Sequence, residues 1–325
     1  MGPLELLAAN LLSPIVLSFA LGVAAAWVRS DLKIPDDLYS ALSIYLLLAI
    51  GMKGGVEISR FAPSQIVWPA IATVALGLGT AILDFGFLRR ALRVSAVDAA
   101  ALAAHYGSVS AVTFIACSQY LEAVTTPAEG FLPALVALLE VPAILIALVL
   151  GRSASNGSGE PMGAVIREVL AGRSIVLLVG GLVIGALAGK ERFSPVAPLF
   201  VDLYRGALVI FLLEMGLTAG RRARELRRIG VGLLVFAVAA PLVHGLLGVG
   251  AGRLVGLSVG GCTTLGVLAA SASYIAAPAA VRLGLPAANP GVPLTLAIAV
   301  TFPFNLALGI PLFHRLALWM AEGPR

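Results

Sequence analysis

The sequence predicts an all-α polytopic membrane protein whose ten transmembrane helices form two inverted repeats of five, with two broken helices that cross. Charged residues make up 12% of the 325 positions and apolar residues 59%, whereas a soluble domain carries about 25% charged residues. This composition places the chain in the membrane class. The other two observations are a division into ten apolar segments and the recurrence of matching motifs in the two halves.

A helix that crosses a bilayer needs about 20 predominantly apolar residues. Segments of roughly this length form two groups of five, near residues 12–28, 37–58, 64–88, 98–120 and 128–150, and near residues 173–189, 198–219, 229–251, 256–281 and 291–319. The stretch 151–163 between the groups is polar and rich in Gly and Ser, which is typical of a linker. We therefore expect a first repeat in residues 1–151, a linker in 152–163 and a second repeat in 164–325.

Matching motifs relate the two groups. The matched positions are separated by 161 to 165 residues, as in the pairs Ser13 and Ser174, Glu140 and Thr301, and Gly51 and Gly216. So constant an offset is not expected from chance matches between apolar segments. Because each repeat has an odd number of spans, the second repeat enters the membrane upside down, which is an inverted repeat.

The charges of the loops indicate the orientation. Fourteen Lys and Arg residues fall on the side of the linker and six on the other side, and cytoplasmic loops collect such residues. We therefore expect a cytoplasmic linker and external termini in a bacterial inner membrane. The basic run 221–228 contributes most to this count, either as a topology anchor or as a contact for anionic lipid.

The fourth and ninth spans are interrupted by small and hydroxyl residues. An unwound segment survives in hydrocarbon only where it lines a cavity, and a matching pair of such breaks points to a transporter's binding site. The free N–H groups of a half-helix suit an anion. We expect a small anion to be bound by Gly107, Ser108, Val109, Ser110, Thr113, Ser271, Ala272, Ser273, Tyr274 and Ile275. The alternative is that these residues only permit close helix packing.

A cation site is expected beside the breaks. Glu140 lies in the middle of the fifth span, where a carboxylate costs about 2.5–3.5 kcal/mol on insertion scales and should face the protein interior or a cavity. Oxygen ligands suit a hard cation such as Na⁺, and the predicted ligands are Glu140, Ser110, Ser273, Thr301 and Asn305. The alternative is a protonated Glu140 that is hydrogen-bonded to a neighbour.

Other polar residues inside the spans are further candidates. Lys53 and Glu214 lie in matched spans and are expected to pair with each other, with a gating or substrate-attracting role of Lys53 as the alternative. His105 is a candidate proton relay because it lies two residues before the first break, and His244 is a weaker one. Asp84 is expected to be interfacial or locally paired.

The composition and motifs do not favour an enzyme. No group of His, Cys and Asp has the spacing of metal ligands, and no nucleophile stands beside a base. Cys117 and Cys262 lie in apolar runs and are expected to be small buried residues. We expect no organic cofactor and no nucleic-acid partner.

At these positions the sequence resembles the sodium-dependent bicarbonate transporter family, over nearly the whole chain. The motifs that carry the resemblance are IGMKGGVE (50–57), GSVSAVTF (107–114), LLEVPA (138–143), EMGLTAGRRARELRR (214–228), APLVHG (240–245), AASASYIAAPAAVRLGLPAANP (269–290) and TFPFN (301–305). The chain differs from the cyanobacterial members at Lys53, at Ala111 and Val112 after the first break, at Glu140, at Tyr274, and in its shorter linker.

The resemblance implies a fold related to bile-acid transporters and sodium/proton antiporters. Spans 3–5 and 8–10 would form a core domain that holds substrate and Na⁺, and spans 1, 2, 6 and 7 a gate or scaffold. It also implies a homotrimer, an elevator-like movement and a cytoplasmic P-II-like regulator. The predicted function is Na⁺-coupled symport of a small inorganic anion, bicarbonate first. The alternatives are a Na⁺- or H⁺-coupled carrier of organic anions on the same fold, and an ion channel or sensor without coupled transport.

Overall fold

The computed structural model describes residues 8, 10–58, 60–153 and 160–322, and this part of the chain is built of helices and connecting turns, without a β-strand. The helices are α1 (Pro14–Trp27), α2 (Asp36–Ile58), α3 (Pro63–Arg90), α4 (Ala96–Tyr106), α5 (Ala111–Ala123), α6 (Leu132–Ser153), α7 (Met162–Leu170), α8 (Arg173–Phe193), α9 (Tyr204–Arg222), α10 (Val231–Leu254), α11 (Val259–Ala270) and α12 (Ala276–Gly284). The last helix, α13 (Gly291–Glu322), contains two π-helical turns, Ala297–Thr301 and Asn305–Gly309.

Seven helical segments in the described residues are long and apolar enough to cross a membrane: α2, α3, α4 with α5, α6, α8 with its following turn, α10 and α13. Two shorter helices, α1 and α11, are also apolar. Each predicted span falls on one helix or on a broken pair; the segment 98–120 falls on α4 and α5, and 256–281 on α11 and α12. The prediction of an all-helical membrane protein is confirmed.

Glycine allows two pairs of helices to touch along their backbones. A Cβ atom added to Gly55 of α2 or to Gly185 of α8 would overlap a carbonyl group of the facing helix. The same is true of Gly22 of α1 and Gly216 of α9. Close backbone contact through small residues is a general way for helices to associate in lipid, where apolar side chains alone give little preference for protein over lipid.

The two broken helices lie inside the bundle. In the most apolar window of α4 and α5, 94% of the residues are buried, and α11 buries all but its first residue. Ser95, Ser110 and Ser258 cap α4, α5 and α11 by accepting a backbone N–H at the start of each helix. The breaks are therefore enclosed by other helices.

Cys117 and Cys262 are buried free thiols, as expected.

Candidate functional site

The first break separates α4 from α5. Gly107 lies so close to α3 that an added Cβ would be 2.7 Å from the Ala81 side chain. Ser110 then caps α5, where its Oγ accepts the Thr113 N–H at 3.2 Å. The N–H groups of Ala111 and Val112 have no backbone or side-chain acceptor in the described part of the chain. The first turn of α5 therefore offers free amides in the middle of the bundle.

The second break separates α11 from α12, and it touches the first. The Ser110 N–H donates to Ser271 Oγ at 2.9 Å, and the Ser273 N–H donates to the His105 carbonyl at 2.7 Å. Ser273 Oγ accepts the Ala277 N–H at 3.2 Å and so supports the start of α12. These bonds hold the two interrupted helices together at the point where they cross.

The breaks and α6 enclose a small cavity with room for about one water molecule. It is lined by Val109, Ser110, Ala111, Glu140, Ser174, Ser273, Tyr274 and Ile275. Glu140 Oε2 is buried there and has no hydrogen-bond partner in the described residues. The buried Tyr274 hydroxyl lies close to the Ser110 side chain. The Glu140 carboxyl lies close to the Ser174 side chain of α8. Among the described residues, no Lys, Arg or His side chain lines this cavity.

Next to the cavity lies a cleft of about 180 Å³, at the end of the bundle that carries α7. Glu140, Ser174 and Ile275 line both spaces, and Glu168 and Arg173 line the cleft farther from the breaks. The cleft therefore offers a route from the α7 end of the bundle to the Glu140 carboxyl. Ser174 was not among the predicted site residues. Its match with Ser13 at the repeat offset could have pointed to it.

The predicted anion site is only partly assembled around this cavity. Val109, Ser110, Ser273, Tyr274 and Ile275 line it, whereas the other predicted residues do not. Two of those have structural bonds, because Ser108 Oγ donates to the Glu140 carbonyl at 3.0 Å and Ser271 Oγ donates to the Leu268 carbonyl at 2.7 Å. Gly107, Thr113 and Ala272 are buried beside the breaks.

The predicted cation ligands are divided in the same way. Glu140, Ser110 and Ser273 meet at the cavity, but Thr301 and Asn305 of α13 do not line it. Thr301 Oγ1 lies 2.8 Å from the Ala237 carbonyl of α10 and from the Tyr106 hydroxyl. Asn305 Nδ2 donates to the Ala270 carbonyl at the end of α11 at 2.7 Å, and its Oδ1 has no partner in the part described.

The expected pairing of Lys53 with Glu214 is wrong. Lys53 Nζ lies 3.7 Å from the Glu122 carboxylate and 5.6 Å from the Tyr204 ring centroid, whereas Glu214 Oε1 accepts a bond from Thr218. Tyr204 is the first residue of α9 and Glu214 lies ten residues farther along it, which is about 15 Å at 1.5 Å per residue. The matched sequence positions therefore lie at different depths.

The buried histidines have structural partners. His105 Nδ1 lies 2.7 Å from the Ala101 carbonyl, and its Nε2 is without a partner in the described residues. His244 Nε2 of α10 lies 3.1 Å from Asp84 Oδ1 of α3, and both side chains are buried. Asp84 is therefore buried and paired with a residue of another helix. The two residues are separated by 160 positions (244 − 84), which is close to the repeat offset, and this separation could have predicted the pair.

Comparison with protein families gives one informative match. The model described as Na⁺-dependent bicarbonate transporter superfamily matches residues 14–318, a range that includes both breaks, Glu140 and most of α13. No curated protein matches the chain.

Proposed function

Because the chain belongs to the Na⁺-dependent bicarbonate transporter superfamily, we propose that it is a Na⁺-coupled symporter of a small inorganic anion, bicarbonate first, that works by alternating access. The observation that carries this proposal is the shared cavity, where an unpartnered carboxylate oxygen of Glu140 lies beside the start of α5. Carboxylate and hydroxyl oxygens suit a hard cation. Free N–H groups at a helix start suit an anion.

In this proposal the anion is bound by the free amides of Ala111 and Val112, together with the hydroxyl groups of Ser110 and Ser273. The Tyr274 hydroxyl, which lies close to Ser110, adds a further donor in the same cavity. Na⁺ is bound in the same cavity by Glu140 and the neighbouring serine oxygens. The ligand roles of Thr301 and Asn305 stay predictions, because both residues lie outside this cavity.

The proposed topology has ten spans in two inverted repeats. The first repeat comprises α1, α2, α3, the pair α4–α5, and α6, and the second comprises α8, α9, α10, the pair α11–α12, and α13. Two features support this arrangement: the breaks cross, and the α2–α8 and α1–α9 pairs have the same kind of glycine contact. Spans 3–5 and 8–10 form the moving core, and spans 1, 2, 6 and 7 form the scaffold. The α7 end faces the cytoplasm. A homotrimer and a P-II-like regulator are further expectations from the family.

Uptake of labelled bicarbonate into proteoliposomes tests this function. We expect saturable uptake that is stimulated by an inward Na⁺ gradient and lost when choline replaces Na⁺. Glu140→Gln should lose the Na⁺ stimulation while it still folds and inserts. Uptake that is unchanged in choline would refute Na⁺ coupling.

Two further arms of the same experiment test the rival functions. Competition by organic carboxylates, with no response to bicarbonate, would indicate an organic-anion carrier. Flux that does not saturate would indicate a channel, and ligand binding without flux would indicate a sensor.

A further inference from the structure

The cavity at the breaks contains one carboxyl group and no basic side chain. Glu140 is 3% exposed, and its Oε2 has no partner in the described residues. An anion that entered this space would meet the Glu140 carboxylate at close range. Two like charges 4 Å apart at an effective dielectric constant of 20 weaken binding by on the order of a thousand-fold. The anion therefore needs the carboxylate to be neutralised before it can bind.

We propose that the cavity fills in a fixed order, in which Na⁺ binds first to Glu140 and Ser174 and only then does the anion bind to the free amides of α5. This inference rests on the proposed symport function and adds the order of binding and the residue Ser174. The room for about one water molecule agrees with it. A cation without its water shell fits such a space, whereas a bicarbonate ion requires the cavity to widen after the cation has bound.

Ser174 gives the cation a second role. It lies in the first turn of α8, is 3% exposed and lines both the cavity and the cleft. α8 is fastened to α2 by the glycine contact at Gly185, while Glu140 belongs to α6. A cation that is bound by both side chains therefore joins the proposed scaffold to the proposed core. Symport then requires the cation to leave Ser174 and to stay with Glu140 when the core moves.

The order can be tested by thermal unfolding of the purified full-length protein, with NaCl or choline chloride at equal ionic strength and with or without choline bicarbonate. In the wild type, Na⁺ alone should raise the unfolding midpoint, and bicarbonate should raise it further only when Na⁺ is present. In Glu140→Gln, Na⁺ should give no shift, and bicarbonate should raise the midpoint in choline as well. Glu140→Asp keeps the charge and should keep the requirement for Na⁺.

Ser174→Ala tests the second ligand. It should weaken Na⁺ binding by at least ten-fold in the same titration and leave the order of binding unchanged. The matched control is Ser13→Ala at the equivalent position of the first repeat, where Ser13 Oγ accepts the Val16 N–H at 3.3 Å and caps α1. This control should lower the midpoint in every buffer and leave the Na⁺ response as in the wild type.

The possible results separate this inference from the proposed function. If neither ligand shifts the wild-type midpoint, the symport function itself fails. If Na⁺ and bicarbonate shift it independently, or if Glu140→Gln still needs Na⁺ for bicarbonate, the fixed order is overturned and the symporter remains. A wild type that binds bicarbonate in choline at any pH at which bicarbonate persists would also overturn the inference, because a proton would then neutralise Glu140.

Discussion

Glu122→Gln should open the end of the bundle that lies opposite α7. Glu122 of α5 is the centre of an ion-pair network there, with Arg205 of α9 at 2.8 Å and Lys53 of α2 at 3.7 Å. α5 belongs to the proposed core, whereas α2 and α9 belong to the proposed scaffold. The network therefore joins the two parts at the end where no route to Glu140 was found in the described residues.

The size of the effect follows from the exposure of the three side chains. The side chains of Lys53, Glu122 and Arg205 are 34%, 36% and 65% exposed. Ion pairs of this exposure contribute about 0–1 kcal/mol each, so that the loss of both pairs removes at most about 2 kcal/mol. An equilibrium between closed and open forms would then shift toward the open form by up to about thirty-fold. The contact of Lys53 with the Tyr204 ring is unaffected by the substitution.

A cavity at this end of the bundle is lined by Lys53, Ser118 and Glu122. The assay measures the rate at which a membrane-impermeant maleimide labels a cysteine introduced at Ser118. The two natural cysteines can stay in place, because both are buried. We expect Glu122→Gln to raise the labelling rate by up to about thirty-fold. The matched control is Glu57→Gln, which removes the same charge from the same cavity but breaks only the local pair with Arg60. Equal rates in both variants would refute this reasoning.

Three substitutions test the packing that positions the site, each through the midpoint of thermal unfolding in detergent. Gly185→Ala should lower the free energy of unfolding by about 1–3 kcal/mol, because the added methyl group overpacks against α2. Gly180→Ala on the same helix places its methyl group in open space and should raise the free energy of unfolding by up to about 1 kcal/mol. Ser271→Ala leaves the buried Ser110 N–H without its acceptor and should cost about 1–3 kcal/mol; an unchanged midpoint would show that water replaces it. Asp84→Leu should lower the free energy of unfolding by about 3–5 kcal/mol, because it leaves the buried His244 side chain unpaired. The double substitution Asp84→Leu with His244→Leu should restore most of this loss.

The positions of the helices and of both breaks could be predicted from the sequence because their causes are local. The length of each apolar run determines whether a helix can cross the bilayer. A cluster of small and hydroxyl residues inside such a run weakens the helix and lets a serine such as Ser110 cap a new one. Both signals lie within about 25 residues of sequence, so that no knowledge of the tertiary structure was needed.

The partners of the polar side chains could not be predicted as well, because they depend on how the helices are offset along one another. The repeat relates Lys53 to the region of Glu214 in sequence, but the packing of α2 on α9 places Lys53 beside the start of α9. Asp84 and His244, also related by the repeat, do meet, because α3 and α10 pack directly. Internal symmetry therefore predicts that matched residues have equivalent environments. It predicts that two matched side chains touch only where their helices pack against each other at the level of those residues.

In the proposed inverted repeat, the same symmetry gives a reason for the two opposite routes that alternating access would need. Ser174 lines the cleft at the α7 end, and its counterpart Ser13 lines a cavity at the other end together with Glu122 and Arg205. The two halves differ at one decisive position, since Glu140 is matched by Thr301, whose hydroxyl bonds to the Ala237 carbonyl. The cleft beside Ser174 reaches the carboxylate, whereas the cavity beside Ser13 is lined by the Glu122 network and does not reach it. In the described residues Glu140 lines the cleft at the α7 end, and the proposed transport would require the two ends to exchange these roles around a single charged position.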